Sequence, residues 1–112
     1  MKQVYNKMVR DKIAVIIRDA GMKPVIDTVS DAEAIQLLAK KLLEESAEFN
    51  ENICVEELVD LQEVIDALKK KMHISEEEFK RVKQAKLDVR GGYELNVFLK
   101  YVEWGAHYGI ND

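Results

Sequence analysis

Cysteine occurs once in the 112 residues, proline once and glycine five times. The lone Cys54 excludes an internal disulfide and any cysteine-based zinc cage, since both need partners. Its expected role is that of a small apolar side chain. So few breakers favour long helices over many short strands. The longest apolar runs, such as Ile13 to Ile17, fall far short of the roughly 20 residues that span a bilayer, and no membrane partner is expected. The opening MKQVYNKMVRDK scatters charge and lacks the apolar stretch and small-residue cleavage site of a signal peptide, which makes the cytoplasm the expected location. An excess of positive charge is also missing. Lysine plus arginine is 17 against 21 aspartate plus glutamate, a formal net charge of −4. Strong nonspecific nucleic-acid binding needs a cationic surface and is excluded as the expected role.

What is there suits a packed core under a charged surface: 47% hydrophobic and 34% charged residues. The length gives room for one small domain, residues 1–112, with no repeat or low-complexity tract. The pattern predicts a mainly α fold, a helical bundle containing an antiparallel helix hairpin. A first helix from about Arg10 to Ala20 carries Ile13, Ile16 and Ile17 on one face and stops at Gly21. Lys23 to Val29, with Pro24 among β-branched residues, is expected to be extended. Ser30 and Asp31 offer N-caps for a second helix through Phe49, with the stripe Ile35, Leu38, Leu42, Phe49. A third helix starts near Val55 and carries Leu58, Leu61, Ile65, Leu68 and Met72. Ser75 and Glu78 form a capping box that opens a fourth through Leu87. Gly91 and Gly92 end helical order, and residues 92–100 are expected to begin extended.

The segment KKLLEESAEFNENICVEELVDLQEVIDAL places acids where the apolar seam runs. Glu45 and Glu48 are three apart, as are Glu57 and Asp60, so each pair shares a helical face. Glu45 continues the stripe of Leu38, Leu42 and Phe49, and Glu57 lies one turn before Leu61. With a turn around Asn52 and Ile53, Glu48 and Glu57 are equidistant from it, and so are Glu45 and Asp60. The two layers are then about 4.5 Å apart at ~1.5 Å of rise per residue, close to the ~3.5 to 4 Å between paired catalytic ions. Four carboxylates this close repel one another unless cations are supplied. An all-oxygen set selects hard ions, Mg2+ first with Mn2+ as substitute, and magnesium commonly binds substrate phosphates. Spacing alone leaves a second reading open, a solvated acidic face with partners such as Lys41 beside Glu45 and Lys69 further along from Glu56.

Three segments, YNKMVRDKI, KLLEESAEF with EELVDLQEVIDAL, and RGGY, resemble the MazG-like members of the all-alpha nucleoside triphosphate pyrophosphohydrolases, in the order of that family's short single-domain branch. Ala14 stands where a proline often follows DKI, and the interval between Glu48 and Glu57 is shorter than in larger members. The resemblance implies hydrolysis of a nucleoside triphosphate between the α and β phosphates, giving a monophosphate and pyrophosphate, often to remove unwanted nucleotides. It implies Glu45, Glu48, Glu57 and Asp60 as magnesium ligands, and Glu44, beside the catalytic Glu45, as a group orienting water or ligand.

Phosphoryl chemistry rests on positioning and charge stabilisation, so cations should supplement the metal. The candidates for substrate phosphate are Lys7, Arg10, Lys12, Lys86 and Arg90, with ordinary surface charge, or pairing of Arg10 or Lys12 with Asp11 or a neighbouring helix, as the other reading. His73 reads as a helix-end residue. His107 has no second histidine near it to share a metal. Trp104, Tyr101 and Tyr108 read as residues that pack against the helices or a partner subunit before they read as nucleobase platforms. A homodimer or higher homo-oligomer is expected, because so short a chain has a limited core. The alternatives to this enzyme are a non-catalytic helical interaction module with an acidic surface cluster, and the same fold acting on phosphoribosyl-ATP or a nucleotide-sugar pyrophosphate.

Overall fold

A computed structural model describes residues 1–105, and His107 and Tyr108 lie outside the described residues. Among the described residues regular structure is all helical: α1 Ile13–Asp19, α2 Asp31–Glu51, α3 Val55–Lys71 and α4 Glu76–Arg90. None is long and apolar enough to cross a membrane. The chain forms two compact units, one from Met1 to Glu76 and one from Glu77 onward.

In the first unit, α2 and α3 pack against each other as an antiparallel hairpin closed by the short Asn52, Ile53, Cys54 connection. Local chemistry sets its ends. Ser30 is extended at the N-cap of α2, and its Oγ accepts the Glu33 amide at 3.2 Å, satisfying a backbone donor that the helix cannot. Lys71, at the end of α3, reaches Asp31 at the start of α2 at 3.3 Å. Cys54 is half-buried at the N-cap of α3, where its side chain makes no cap bond.

Helix α1 ends in a Schellman turn. Gly21 donates to the Arg18 carbonyl at 2.9 Å and Met22 to Ile17 at 3.1 Å, with Gly21 at φ +84°. Helix α3 ends the same way on a residue with a side chain. His73 donates to Lys70 at 3.1 Å and Ile74 to Lys69 at 2.9 Å, with His73 at φ 56°. The histidine therefore sits at the helix end as expected, in a left-handed conformation that a histidine tolerates less readily than glycine.

The buried apolar residues are Ala14, Ala34, Leu38 and Val64, and no large side chain is fully buried. Small alanines lie where α1 and α2 bury most. Ile35, Leu42 and Phe49 are half-buried, as their stripe requires, and so are Leu61, Ile65 and Leu68. Three apolar expectations are corrected. Ile16 is exposed, since α1 turns Ile13, Ala14 and Ile17 inward instead. Leu58 and Met72 are exposed because the α3 seam centres on Val64.

Residues 23–29 and 92–100 contain no strand. The second contains a turn in which Asn96, at φ 54°, donates to the Tyr93 carbonyl at 3.5 Å. Helix α4, which lies in the second unit from Glu77 onward, begins directly after Ser75, as the capping box predicts, and has no buried residue. Tyr101 and Trp104 are exposed in the single chain, which leaves packing on a partner subunit as the expectation for them.

Candidate metal centre

Helical periodicity puts Glu44, Glu45 and Glu48 within one turn near the end of α2, and Glu57 and Asp60 within one turn at the start of α3. The hairpin then joins the turns. One carboxylate oxygen from each of Glu45, Glu57 and Asp60 lies within 4.8 Å of the others, and the same holds for Glu44, Glu45 and Glu48. Glu45 belongs to both groups. Glu45 meets both Glu57 and Asp60 across the hairpin, and exposed Glu48, which groups with Glu44 and Glu45 on its own helix, also repels Glu57.

Glu45 is 7% exposed, the more buried of the two charged residues in the interior. Its position explains this, because it continues the apolar stripe that packs on α3. Burial pushes its carboxyl above the ordinary range, the neighbouring Glu48 adds to the rise, and Lys41 partly opposes it. Burial likewise raises Glu57, with Glu48 and Asp60 adding repulsion. Glu45 Oε2 and Glu57 Oε2 are both buried with no hydrogen-bond partner. An acceptor removed from water and left unpaired is costly, and a cation is the partner that satisfies several such oxygens at once.

Cations border the acids. Lys41 lies 3.6 Å from Glu44 and 3.7 Å from Glu45 Oε1. Lys7 Nζ donates to Glu44 Oε1 at 2.7 Å, which holds the Glu44 carboxyl below its usual range and raises the lysine. Arg10 donates to Asp60 at 2.6 Å and, through both terminal nitrogens, to Glu63 at 2.7 and 3.2 Å. That fork holds Glu63 low and Arg10 high. Beside the acids, Asn6, Lys7, Leu37, Lys40, Lys41 and Glu44 line a small cavity of about 90 Å3.

Of the cations singled out from sequence, Lys7 and Arg10 reach the acidic groups, and Arg10 does so by pairing with a neighbouring helix. Lys12 stands at the N-cap position of α1 without a side-chain cap bond and makes no ion pair among the described residues. Lys86 and Arg90 lie on α4 in the second unit. Lys69 is buried and pairs with Glu76 at 2.8 Å, not with Glu56. Sequence reasoning missed Glu63, although it continues the three-residue spacing of Glu57 and Asp60. It also missed Lys40 beside Lys7.

The donor set is all oxygen, without histidine or cysteine, and includes two buried unpaired acceptors, so it fits a hard divalent cation. No family model, curated protein or solved structure matches the chain.

Proposed function

We propose that this chain is a magnesium-dependent hydrolase of nucleoside triphosphates, or of related pyrophosphate compounds, that cleaves between the α and β phosphates to release a monophosphate and pyrophosphate. The proposal includes membership of the MazG-like pyrophosphohydrolases, a house-cleaning role on the nucleotide pool, and action as a cytoplasmic homodimer or higher homo-oligomer. The observation that carries it is Glu45, a carboxylate buried in the hairpin seam with an unpaired oxygen, converging with Glu57 and Asp60. A merely solvated acidic face has no reason to bury its central member.

Glu45, Glu48, Glu57 and Asp60 would hold Mg2+, or Mn2+ in its place. Bound there, the ion would supply charge neutralisation for phosphates and a water of lowered pKa. Glu44, whose carboxyl Lys7 holds low in the metal-free protein, would orient a water or ligand at the edge of the cluster. Lys7, Lys40 and Lys41 line the adjacent cavity and would bind phosphate oxygens, supporting charge that develops on the leaving pyrophosphate. Exposed apolar residues throughout the first unit, among them Val15, Ile16, Leu43 and Leu58, give a second copy a surface to cover.

A second reading, the non-catalytic interaction module, draws support from α4, whose Phe79, Val82, Leu87 and Val89 are exposed. One experiment separates the two. Pyrophosphate release is measured over a panel of nucleotides with magnesium for the parent, Glu45→Gln and Asp60→Asn. The enzyme turns over at least one nucleotide, and both variants lose that activity. If no nucleotide is turned over, the hydrolase proposal fails.

A further inference from the structure

The segment before α1 lays one cation on each acidic group. Lys7 holds Glu44, a member of the group with Glu45 and Glu48. Arg10, three residues on, holds Asp60, a member of the group with Glu45 and Glu57. The stretch that carries them has neither helix nor strand, and these side-chain bonds tie it to α2 and α3 while Met8 between them is half-buried.

Arg10 grips an oxygen of Asp60 that a metal ion would need, and Lys7 grips Glu44, which shares its group with the proposed ligands Glu45 and Glu48, yet neither cation completes the site. Glu45, more than nine-tenths buried, still has an Oε2 with no hydrogen-bond partner, and Glu57 has another. An ammonium or guanidinium brings one charge to the rim. A divalent ion brings two and accepts several oxygens together. The two bonds are also of an exchangeable kind, since the Lys7 and Arg10 side chains are 39% and 57% exposed, and solvent and salt screen such pairs. Arg10 keeps a place after exchange, because its fork on Glu63 lies outside both groups.

We infer that Lys7 and Arg10 are tethered counter-ions of the two acidic groups, exchanged for divalent cations as these bind and thereby turned toward the phosphates of an incoming substrate. The inference rests on the cation site proposed above. It makes the basic segment a competitor of the metal in the resting protein, and a source of phosphate ligands once the metal is in place. The ligand class is a polyphosphate carrying its own divalent ion, since that species brings both the charge that displaces the cations and the anion that receives them.

The test is a titration of the full chain with Mn2+ alone at low salt, free ion being read by electron paramagnetic resonance. Parent, Arg10→Gln, Lys7→Gln and Glu45→Gln are compared. Removing either counter-ion is expected to tighten Mn2+ binding about two- to fivefold, the scale of one exposed ion pair, and the gain should shrink as salt rises. Glu45→Gln is expected to lose binding. If the parent binds, Glu45→Gln does not, and Arg10→Gln or Lys7→Gln binds no more tightly than the parent, the exchange is overturned while the cation site stands. Weaker binding by Arg10→Gln would make Arg10 a positioning residue for Asp60 and overturn it equally. No Mn2+ binding by any of the proteins overturns both.

Discussion

Replacing Glu45 by glutamine removes a buried negative charge at nearly constant size. One carboxylate oxygen from each of Glu45, Glu57 and Asp60 lies within 4.8 Å of the others. A like unit charge at that distance from Glu45 costs about 0.9 kcal/mol in bulk water and about 3.5 kcal/mol at an effective dielectric of 20. Lys41, 3.7 Å from Glu45, offsets part of this. Glu45→Gln is therefore expected to stabilise the metal-free protein by about 1 kcal/mol, or about 4 °C in Tm.

The pH dependence has a definite sign. The folded-state pKa of Glu45 is raised, so its contribution to stability is fully present below the ordinary value of 4.5 and is lost as pH rises through the folded value. The advantage of the variant should accordingly vanish in acid and grow toward neutrality. Magnesium should reverse the order, because at one hundred times its dissociation constant it adds about 2.7 kcal/mol to the parent and little to a variant lacking the shared ligand. Thermal unfolding followed by circular dichroism, with chelator and then with magnesium at several pH values, reads all three effects. A metal-free variant that melts below the parent, with magnesium moving neither, refutes the reasoning. Glu45 would then be satisfied by Lys41.

Asp60→Asn should lower nucleotide turnover at least about 10²-fold, the scale of losing one electrostatic group at a reacting centre, with helix content by circular dichroism unchanged. Leu38→Ala, in the small buried set, should cost about 2 to 5 kcal/mol and shift the urea midpoint accordingly. Ser30→Ala removes the acceptor of the Glu33 amide and should cost about 1 kcal/mol by the same measurement. Gly21→Ala meets open space but sits at φ +84°, so a loss of about 1 to 2 kcal/mol is expected from backbone conformation alone. Glu44 and Glu63 have lowered folded-state pKa values. The stability they give is present above the ordinary 4.5 and lost as pH falls through the folded values, so Glu63→Gln should flatten the acid side of the stability curve.

The hairpin was legible because its signals are local and agree. Ser30 caps α2, and apolar residues recur at helical spacing on both helices. Glu45 was legible for the same reason, since an acid standing in an apolar stripe must be buried when the stripe packs. The neighbours that complete the site were harder to see. Arg10 meets Asp60 and Glu63 across 50 and 53 residues of sequence, a pairing that no local period encodes. Residues 23–29 have the composition of a strand but no partner to supply the ladder, and β propensity without pairing does not make one. On α1, Ala14 is buried and Ile16 exposed, a choice of inward residue that apolar spacing on so short a helix does not encode. His73 in a left-handed turn carries no sequence signal, because glycine is the residue that usually marks such an end.

The central claim is that two helices aim carboxylates at a shared divalent cation. Crystals grown with manganese, measured at its absorption edge, test that claim most directly. An anomalous peak bounded by Glu45, Glu57 and Asp60 is the expected result. Ordered density for those three side chains in manganese-saturated crystals, with no peak among them and water on every oxygen, would contradict it.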